Sequence, residues 1–409
     1  MKKFLVIILC SLFLFPLYAQ EESQEEELQE EKPKKSISFA RRHFEIGIDA
    51  GMGIDNNLFK GSEFLKKEIL IDLTQLENDI GDDGWNINFD IPAGFFINIK
   101  NIKIGKGIWG FGFSSELDGR LNLNTPKSFF DLITEGNIEK RDFEGTFSAS
   151  GRLFLGNGLN VSAKYGKLRL GVKPVIYTPL MFIPRSGIDY KFVTNESISM
   201  TTQGAIKVYT PVTEDGGLDL SLGADISLNG EYELLRFLDV GGSISNIPLY
   251  PAEMRNQTLY SLSGFNINIE GEELMGGNAP EMPPVKFDKK YVASDQRVFR
   301  PFKMDLYARY KPLSNEKLVI IPNIGFSVDI NDVIGYFNAG VEGRLNLIDL
   351  FILSLSTGYE ESIWIHKLGF ALNLRAFEMD LAVSLRSEDF VGSFQAQGIG
   401  VNFGLRLGW

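Results

Sequence analysis

Histidine and cysteine are scarce: the 409-residue sequence contains two histidines and one cysteine. Catalysis by an imidazole base or a thiolate, and metal binding by His/Cys clusters, therefore have little to build on. No GxGxxG or P-loop pattern occurs, so we predict no catalytic residue, no metal site, no cofactor and no enzyme activity. We interpret His43, which follows Arg41 and Arg42, and His366, which falls on the apolar side of its segment, as structural.

Long apolar runs are missing except near the N-terminus, where basic residues, the apolar stretch 4–15 and then Ala19 follow one another. This order is typical of a secretory signal peptide. The apolar stretch is too short for a membrane-spanning helix, which needs roughly 20 residues. We therefore predict that residues 1–19 are removed. Cleavage would also remove Cys10, so the mature chain would have no thiol and no disulfide.

Residues 20–43 begin with a strongly acidic run and have too few apolar side chains to pack a core. We predict that they form a disordered periplasmic arm. The whole chain is acidic as well, with 53 Asp and Glu against 41 Lys and Arg. This balance disfavours nucleic acid as a partner.

From residue 44 onward, segment after segment alternates apolar and polar residues with the period of a β-strand. In the last segment, the apolar positions are Ile399, Val401, Phe403, Leu405, Leu407 and Trp409. A soluble sandwich would show the same period, but the signal peptide, the terminal aromatic residue and the strand length favour lipid on the apolar face. We predict an all-β fold over 44–409: a transmembrane antiparallel up-and-down β-barrel of about 14–16 strands with short loop helices.

The connections give further expectations. Asn157-Gly158 and Asn229-Gly230 have the composition of tight turns. Helical spacing at 63–80 and 128–135 predicts loop helices, which either constrict the mouth or cap the rim. The proline- and glycine-rich insert 271–298 predicts an irregular loop.

Charged residues at the positions that alternate with the apolar ones should point into the barrel. A charge that faces lipid costs several kcal/mol, whereas one that faces a water-filled lumen costs little. Opposite charges on neighbouring strands would create a transverse field across a pore, whereas the alternative is ion pairing that fills the lumen. The candidate pore-lining residues are Glu342, Arg344, Lys367, Arg375, Glu378, Asp380, Arg386 and Arg406.

The final strand resembles the terminal strand of outer-membrane barrels. That resemblance implies that the barrel-assembly machinery reads Phe403, Leu405, Leu407 and Trp409. The segments 55–57, 71–74 and 171–174 resemble uncharacterised spirochaete-type outer-membrane barrels, a likeness that implies no substrate. The long-chain fatty-acid transporter family is similar in size, with about fourteen strands and an N-terminal plug, but the arm of this chain is short and acidic.

Three functional hypotheses follow. The first is a passive outer-membrane channel for small polar solutes, favoured by the charged inward parity and by a strand number near sixteen. The second is a plugged barrel that transports a hydrophobic ligand, for which Pro174, Pro179 and Pro184 could mark an opening in the wall. The third is a surface interaction protein that acts through its 60–80 and 271–298 loops. The expected partners are outer-membrane lipid, the barrel-assembly machinery, and either small solutes or a hydrophobic ligand. The sequence does not determine the oligomeric state.

Overall fold

A computed structural model describes residues 42–60, 80–135, 142–194, 197–268, 286–313, 317–348, 350–374 and 376–409. This part of the chain contains nineteen strands and two helices. The strands are β1 (Phe44–Asn56), β2 (Trp85–Ile104), β3 (Gly107–Thr125), β4 (Phe143–Tyr165), β5 (Leu168–Thr194), β6 (Ser197–Gly204), β7 (Ile206–Tyr209), β8 (Gly223–Leu235), β9 (Leu238–Tyr250), β10 (Ala252–Leu262), β11 (Phe265–Asn268), β12 (Phe287–Val298), β13 (Phe302–Tyr310), β14 (Leu318–Asp329), β15 (Ile334–Leu347), β16 (Phe351–Glu360), β17 (Ile363–Asn373), β18 (Phe377–Ser387) and β19 (Gly398–Gly408). The helices are α1 (Lys127–Glu135) and α2 (Phe390–Phe394).

Fourteen of the strands form a closed antiparallel ring in the order β1-β2-β3-β4-β5-β8-β9-β13-β14-β15-β16-β17-β18-β19. The ring closes because β19 pairs with β1 from Glu45↔Gly408 to Asp55↔Gly398. The predicted barrel is confirmed, with the lower of the two expected strand numbers. We call the end that holds Phe44 and Gly408 the turn end, and the opposite end the loop end.

The two faces of the wall differ as the strand period predicts. On β19, Ile399 and Val401 are 50% and 41% exposed on the outer face, whereas Asn402 and Arg406 point inward. A barrel with apolar side chains outside and charges inside is the reverse of a soluble protein, and its outer face suits the hydrocarbon of a bilayer. The chain is therefore a transmembrane β-barrel. Within the described residues, no helix is long and apolar enough to cross a membrane.

The other five strands extend the sheet beyond the ring at the loop end. Strand β5 pairs with β8 up to Tyr177 and, from Phe182, with β7 and then β6. Strands β7 and β6 pair in turn with β10 and β11, and β12 pairs with β10. We call β6, β7, β10, β11 and β12 the loop-end sheet. Its buried side chains pack with Phe154 and Tyr177 of the wall, and the Tyr177 hydroxyl donates to the Val298 carbonyl at 3.0 Å.

Strand β5 contains three prolines, and two of them, Pro179 and Pro184, lie where it changes its partner from β8 to β7 and then β6. Strand β5 stays paired with β4 on both sides of this point, at Tyr177↔Gly156 and Phe182↔Arg152, with one bulge between the two pairs and a second beyond Phe182. Proline removes a ladder donor and is tolerated at such bulges. The proline-rich segment therefore coincides with the passage of β5 from the ring into the loop-end sheet, and it does not separate β5 from β4.

Several local predictions need correction. Strand β4 runs through Asn157-Gly158 and β8 runs through Asn229-Gly230, so neither pair forms a turn. A Cβ on Gly158 would lie 2.6 Å from Lys173 Cε, so this glycine makes room for a crossing side chain. Within the insert 271–298, residues Phe287–Val298 form strand β12, because β10 supplies a ladder partner that local composition does not reveal.

The two helices lie at the loop end. Helix α1 confirms the prediction at 128–135, and Phe129 packs against Phe147 and Tyr190, on the outer side of the wall. It therefore caps the rim and does not constrict the mouth. Helix α2 was not predicted, and Asp389 caps it by accepting from the Gly392 backbone N–H at 2.6 Å. The predicted signal peptide, nearly all of the predicted arm and most of the 63–80 helix lie outside the described residues.

Candidate functional site: the barrel lumen

Polar side chains line two cavities inside the ring. A larger cavity of about 940 Å³ lies toward the turn end, and a smaller one of about 540 Å³ lies toward the loop end. The smaller cavity is lined by neutral polar groups such as Asn86, Asn122 and Ser150, together with Arg120 and Arg152. Charged side chains of both signs line both cavities, for example Glu361 and Arg152 in the smaller one and Glu378 and Arg406 in the larger one.

Ion pairs cross the lumen between these cavities. The Glu361 carboxylate binds Arg120 of β3, Arg152 of β4 at 3.2 Å and Lys303 of β13 at 3.4 Å. Arg152 also lies 3.4 Å from Asp329 at the end of β14. Strands β4 and β16 are seven positions apart in the fourteen-strand ring, and β3 and β16 are six apart, so the contacts of Arg152 and Arg120 with Glu361 join opposite walls. We call Arg120, Arg152, Lys303, Asp329 and Glu361 the septum.

The local backbone places Glu361 in the lumen. Glu361 and Ser362 form the turn between β16 and β17, with φ of 47° and 73°. Two successive positive φ angles suit a two-residue hairpin turn but normally require Asn or Gly, and each costs on the order of 1–3 kcal/mol in other residues. The Glu361 N–H donates to Asn338 Oδ1 at 3.0 Å. This strained turn persists because the tertiary contacts of Glu361 hold it.

Electrostatics keep Glu361 ionised. The side chain is only 5% exposed, and burial alone would raise its pKa. The charges of Arg152, Arg120 and Lys303 outweigh burial and lower the pKa of Glu361 to about 2. A buried carboxylate with three cations is stable only as a complete group, because removing one partner leaves an uncompensated buried charge.

A second set of ion pairs spans the seam where β19 meets β1. Arg386 of β18 reaches over both strands to Asp90 of β2 and lies 3.6 Å from Asp55. Closer to the turn end, Arg406 lies 3.0 Å from Glu378 and 3.5 Å from Asp49. A Cβ on Gly53 would lie 2.7 Å from the Arg386 Cζ atom, so Gly53 provides the space through which this arginine crosses.

The structure places the predicted pore-lining residues as follows. Arg386 is buried in the seam, and Arg375 lies outside the described residues. Arg344 and Glu342 pair with each other at 2.7 Å, so ion pairing and exposure to the cavity occur together. Of the eight predicted residues, six line the turn-end cavity: Glu342, Arg344, Lys367, Glu378, Asp380 and Arg406.

His366 lies on the outer face and holds α2 against the wall. Its Nδ1 lies 2.9 Å from Thr357 Oγ1, its Nε2 lies 2.8 Å from Ser393 Oγ, and its ring stacks on Phe394 at 4.2 Å. Ser393 is fully buried and donates to the Phe390 carbonyl at 2.6 Å. A serine without solvent access and with its proton already engaged is not arranged as a nucleophile.

The four residues proposed as the assembly signal share one face of β19. Phe403, Leu407 and Trp409 are 36%, 45% and 74% exposed there, and Leu405 pairs with the outward residue Ile48. The Trp409 ring lies 4.8 Å from that of Phe44. Recognition by the assembly machinery stays a prediction.

Similar barrels occur among solved structures. The Pseudomonas putida toluene transporter TodX aligns with 11% identity over 90% of this chain and 89% of that chain, with a TM-score of 0.47. The Ralstonia pickettii toluene transporter TbuX gives 9% identity over 90% of each chain and a TM-score of 0.46. A Pseudomonas aeruginosa FadL homologue gives 11% identity over 90% of each chain and a TM-score of 0.43.

At these identities and TM-scores the likeness concerns general barrel architecture, and the substrate has to be argued from the residues of this chain. No protein-family model and no curated protein matches the chain. The resemblance to spirochaete-type barrels stays a prediction.

Proposed function

We propose that the protein is an outer-membrane channel in which small polar solutes move between the loop-end and turn-end cavities when the septum opens. The observation that carries this proposal is the lumen itself: two polar cavities in series, separated by ion pairs that join opposite walls. By the usual orientation of such barrels, the loop end would face outside and the turn end the periplasm. The N-terminal arm would then be periplasmic.

The lining favours polar solutes over apolar ones. Charged side chains from many strands face the turn-end cavity, and an apolar molecule there would strip water from them without replacing their hydrogen bonds. A polar solute or its water shell keeps those groups satisfied. The lining therefore favours a wet path.

The septum argues against a permanently open pore. Glu361 holds three cations from β3, β4 and β13, so passage requires their separation. The fourteen strands also enclose a narrower lumen than the sixteen on which the passive-channel hypothesis partly depended. A regulated or intermittent opening fits this geometry better than free diffusion.

Transport of a hydrophobic ligand is the second candidate. It is favoured by Phe182 and Ile183, which line the loop-end cavity beside the buried aromatic residues Phe154 and Tyr177. TodX and TbuX are described as toluene transporters. The charged turn-end cavity and the continuous β4–β5 pairing favour the polar path instead. A role in surface binding through the loops stays a prediction, because much of both loops lies outside the described residues.

Single-channel recording of the refolded protein in planar bilayers tests the proposal. We expect small or rare openings for the wild type and larger, longer openings for Glu361→Gln, because the uncharged amide holds three cations less strongly. Glu214→Gln, at an exposed glutamate in the segment between β7 and β8, is the control for a lost negative charge and should behave as wild type. Heat-modifiable migration in gels verifies that each variant is folded.

Silent bilayers with folded wild type and folded Glu361→Gln would overturn the polar channel. Protein-dependent uptake of toluene or a fatty acid into liposomes under the same conditions would then support the second candidate. If Glu361→Gln does not fold, the same recording is made with Lys303→Gln, which removes one of the three cations that bind Glu361. The expected result is again larger and longer openings than in the wild type.

A further inference from the structure

The turn-end cavity has balanced charges that are unevenly arranged around the ring. Six acidic and six basic side chains line it, so its formal net charge is zero. Five of the acidic groups come from the contiguous arc β18-β19-β1-β2-β3, which we call the acidic wall. They are Asp49, Glu116, Asp118, Glu378 and Asp380.

Five of the basic groups come from the rest of the ring, between β5 and β17, which we call the basic wall. The exceptions are Arg406, which lies within the acidic wall, and Glu342, which lies within the basic wall. A solute in this cavity therefore experiences a field directed across the lumen, although the total charge cancels. The basic wall comprises Lys173, Arg300, Lys303, Arg344 and Lys367.

Most of these charges already have a partner. Lys173 pairs with Glu116, Arg344 with Glu342, and Arg406 with Glu378. Within the described residues, Lys367 on the basic wall and Asp118 on the acidic wall form no ion pair. Asp118 interacts electrostatically with Arg152 and Lys303 of the septum but does not pair with either.

Lys367 and Asp118 are two half-buried charges of opposite sign that lie five strand positions apart around a neutral cavity. This arrangement suits a particular kind of solute. A simple anion or cation is attracted by one wall and repelled by the other. A molecule with both charges gains from both walls when it lies across the lumen. The cavity volume of about 940 Å³ is in the upper range of small-molecule pockets, so such a solute fits together with its water.

We propose that the turn-end cavity takes small zwitterionic solutes of the amino-acid or short-peptide class, with the carboxylate toward Lys367 and the ammonium group toward Asp118. This inference rests on the proposed channel function and specifies its substrate class. It makes Lys367 and Asp118 specificity-determining residues of the lumen.

Alanine and lactamide provide a direct test, because they are isomers of the same size and only alanine is a zwitterion. We expect proteoliposomes with wild type or Glu361→Gln to swell several times faster in isosmotic alanine than in lactamide, by about fivefold. Lys367→Gln and Asp118→Asn should each lower this ratio toward one. Lys106→Gln, at an exposed turn outside the lumen, should keep the ratio.

Equal entry of alanine and lactamide through wild type and Glu361→Gln would overturn the zwitterion preference while leaving the channel in place. A ratio that survives both Lys367→Gln and Asp118→Asn would overturn the assignment of these residues. If neither isomer enters faster than into protein-free liposomes, the channel function itself fails, and the substrate class fails with it.

Discussion

Replacement of Gly53 by alanine tests how the barrel is held closed. The new Cβ would overlap the Arg386 guanidinium, with 2.7 Å to Cζ, so the arginine must leave the path over β1. Arg386 would lose Asp90 and Asp55, and Asp55, only 1% exposed, would keep the Asn88 amide as its neutral partner. Deleting one member of a buried ion pair costs about 3–5 kcal/mol. Because the displaced arginine can still pair in part with other carboxylates, we expect Gly53→Ala to lower the free energy of unfolding by about 2–3 kcal/mol.

Urea unfolding in lipid vesicles, followed by tryptophan fluorescence, measures this loss. Gly94→Ala is the matched control, since Gly94 also faces the lumen from β2 but a Cβ there would lie 3.8 Å from the nearest atom. The double variant with Arg386→Ala completes a cycle: without the arginine, Gly53→Ala should cost less than about 0.5 kcal/mol. Equal losses for Gly53→Ala and Gly94→Ala, or an unchanged loss in the Arg386→Ala background, would refute the crossing arginine as the cause.

Three further predictions concern the lumen and the rim. The pKa of Glu361 is lowered to about 2, so its ion pairs are present above the ordinary carboxyl pKa of 4.5 and are lost only as pH falls toward 2. The wild type should therefore open less often than Glu361→Gln throughout the range from pH 7.5 to about 4, and equal opening frequencies near pH 5 would contradict the septum. Lys367→Gln should make the neutral cavity cation-selective, which reversal potentials in a KCl gradient would reveal. Ser393→Ala should remove the hydrogen bond to His366 and weaken the packing of α2 on the wall by about 1 kcal/mol. Because Trp364 packs on Phe390 of α2, its fluorescence emission should change. Unchanged emission would count against the contact.

The sequence predicts the barrel well because strand period is a local property. Alternation on β19, β18 and β17 identifies both the outward and the inward residues without knowledge of their neighbours. The same parity is readable around Arg120 and Arg152, where Leu121 and Leu153 take the outward positions. These arginines could have been proposed as lumen residues from sequence.

The septum itself was beyond sequence analysis. Glu361 lies in a turn, where no alternation assigns a direction, and its partners are 58 or more positions away in the chain. The loop-end sheet was missed for a related reason: β5 changes its partner from β8 to β7 part-way along its length. Ladder partners and cross-lumen contacts depend on closure of the ring, which no local pattern encodes.

The position of each ion-pair group in the ring decides what it can do. Arg386 and Arg406 join neighbouring or nearly neighbouring strands at the β1–β19 seam, where the backbone ladder already holds the wall together. The contacts of Arg120 and Arg152 with Glu361 join opposite walls, between which no ladder runs. They can therefore break while every strand of the ring stays paired. A group of ion pairs that can open without unfolding the barrel is what a gate requires, and this is why we assign gating to the septum and closure to the seam.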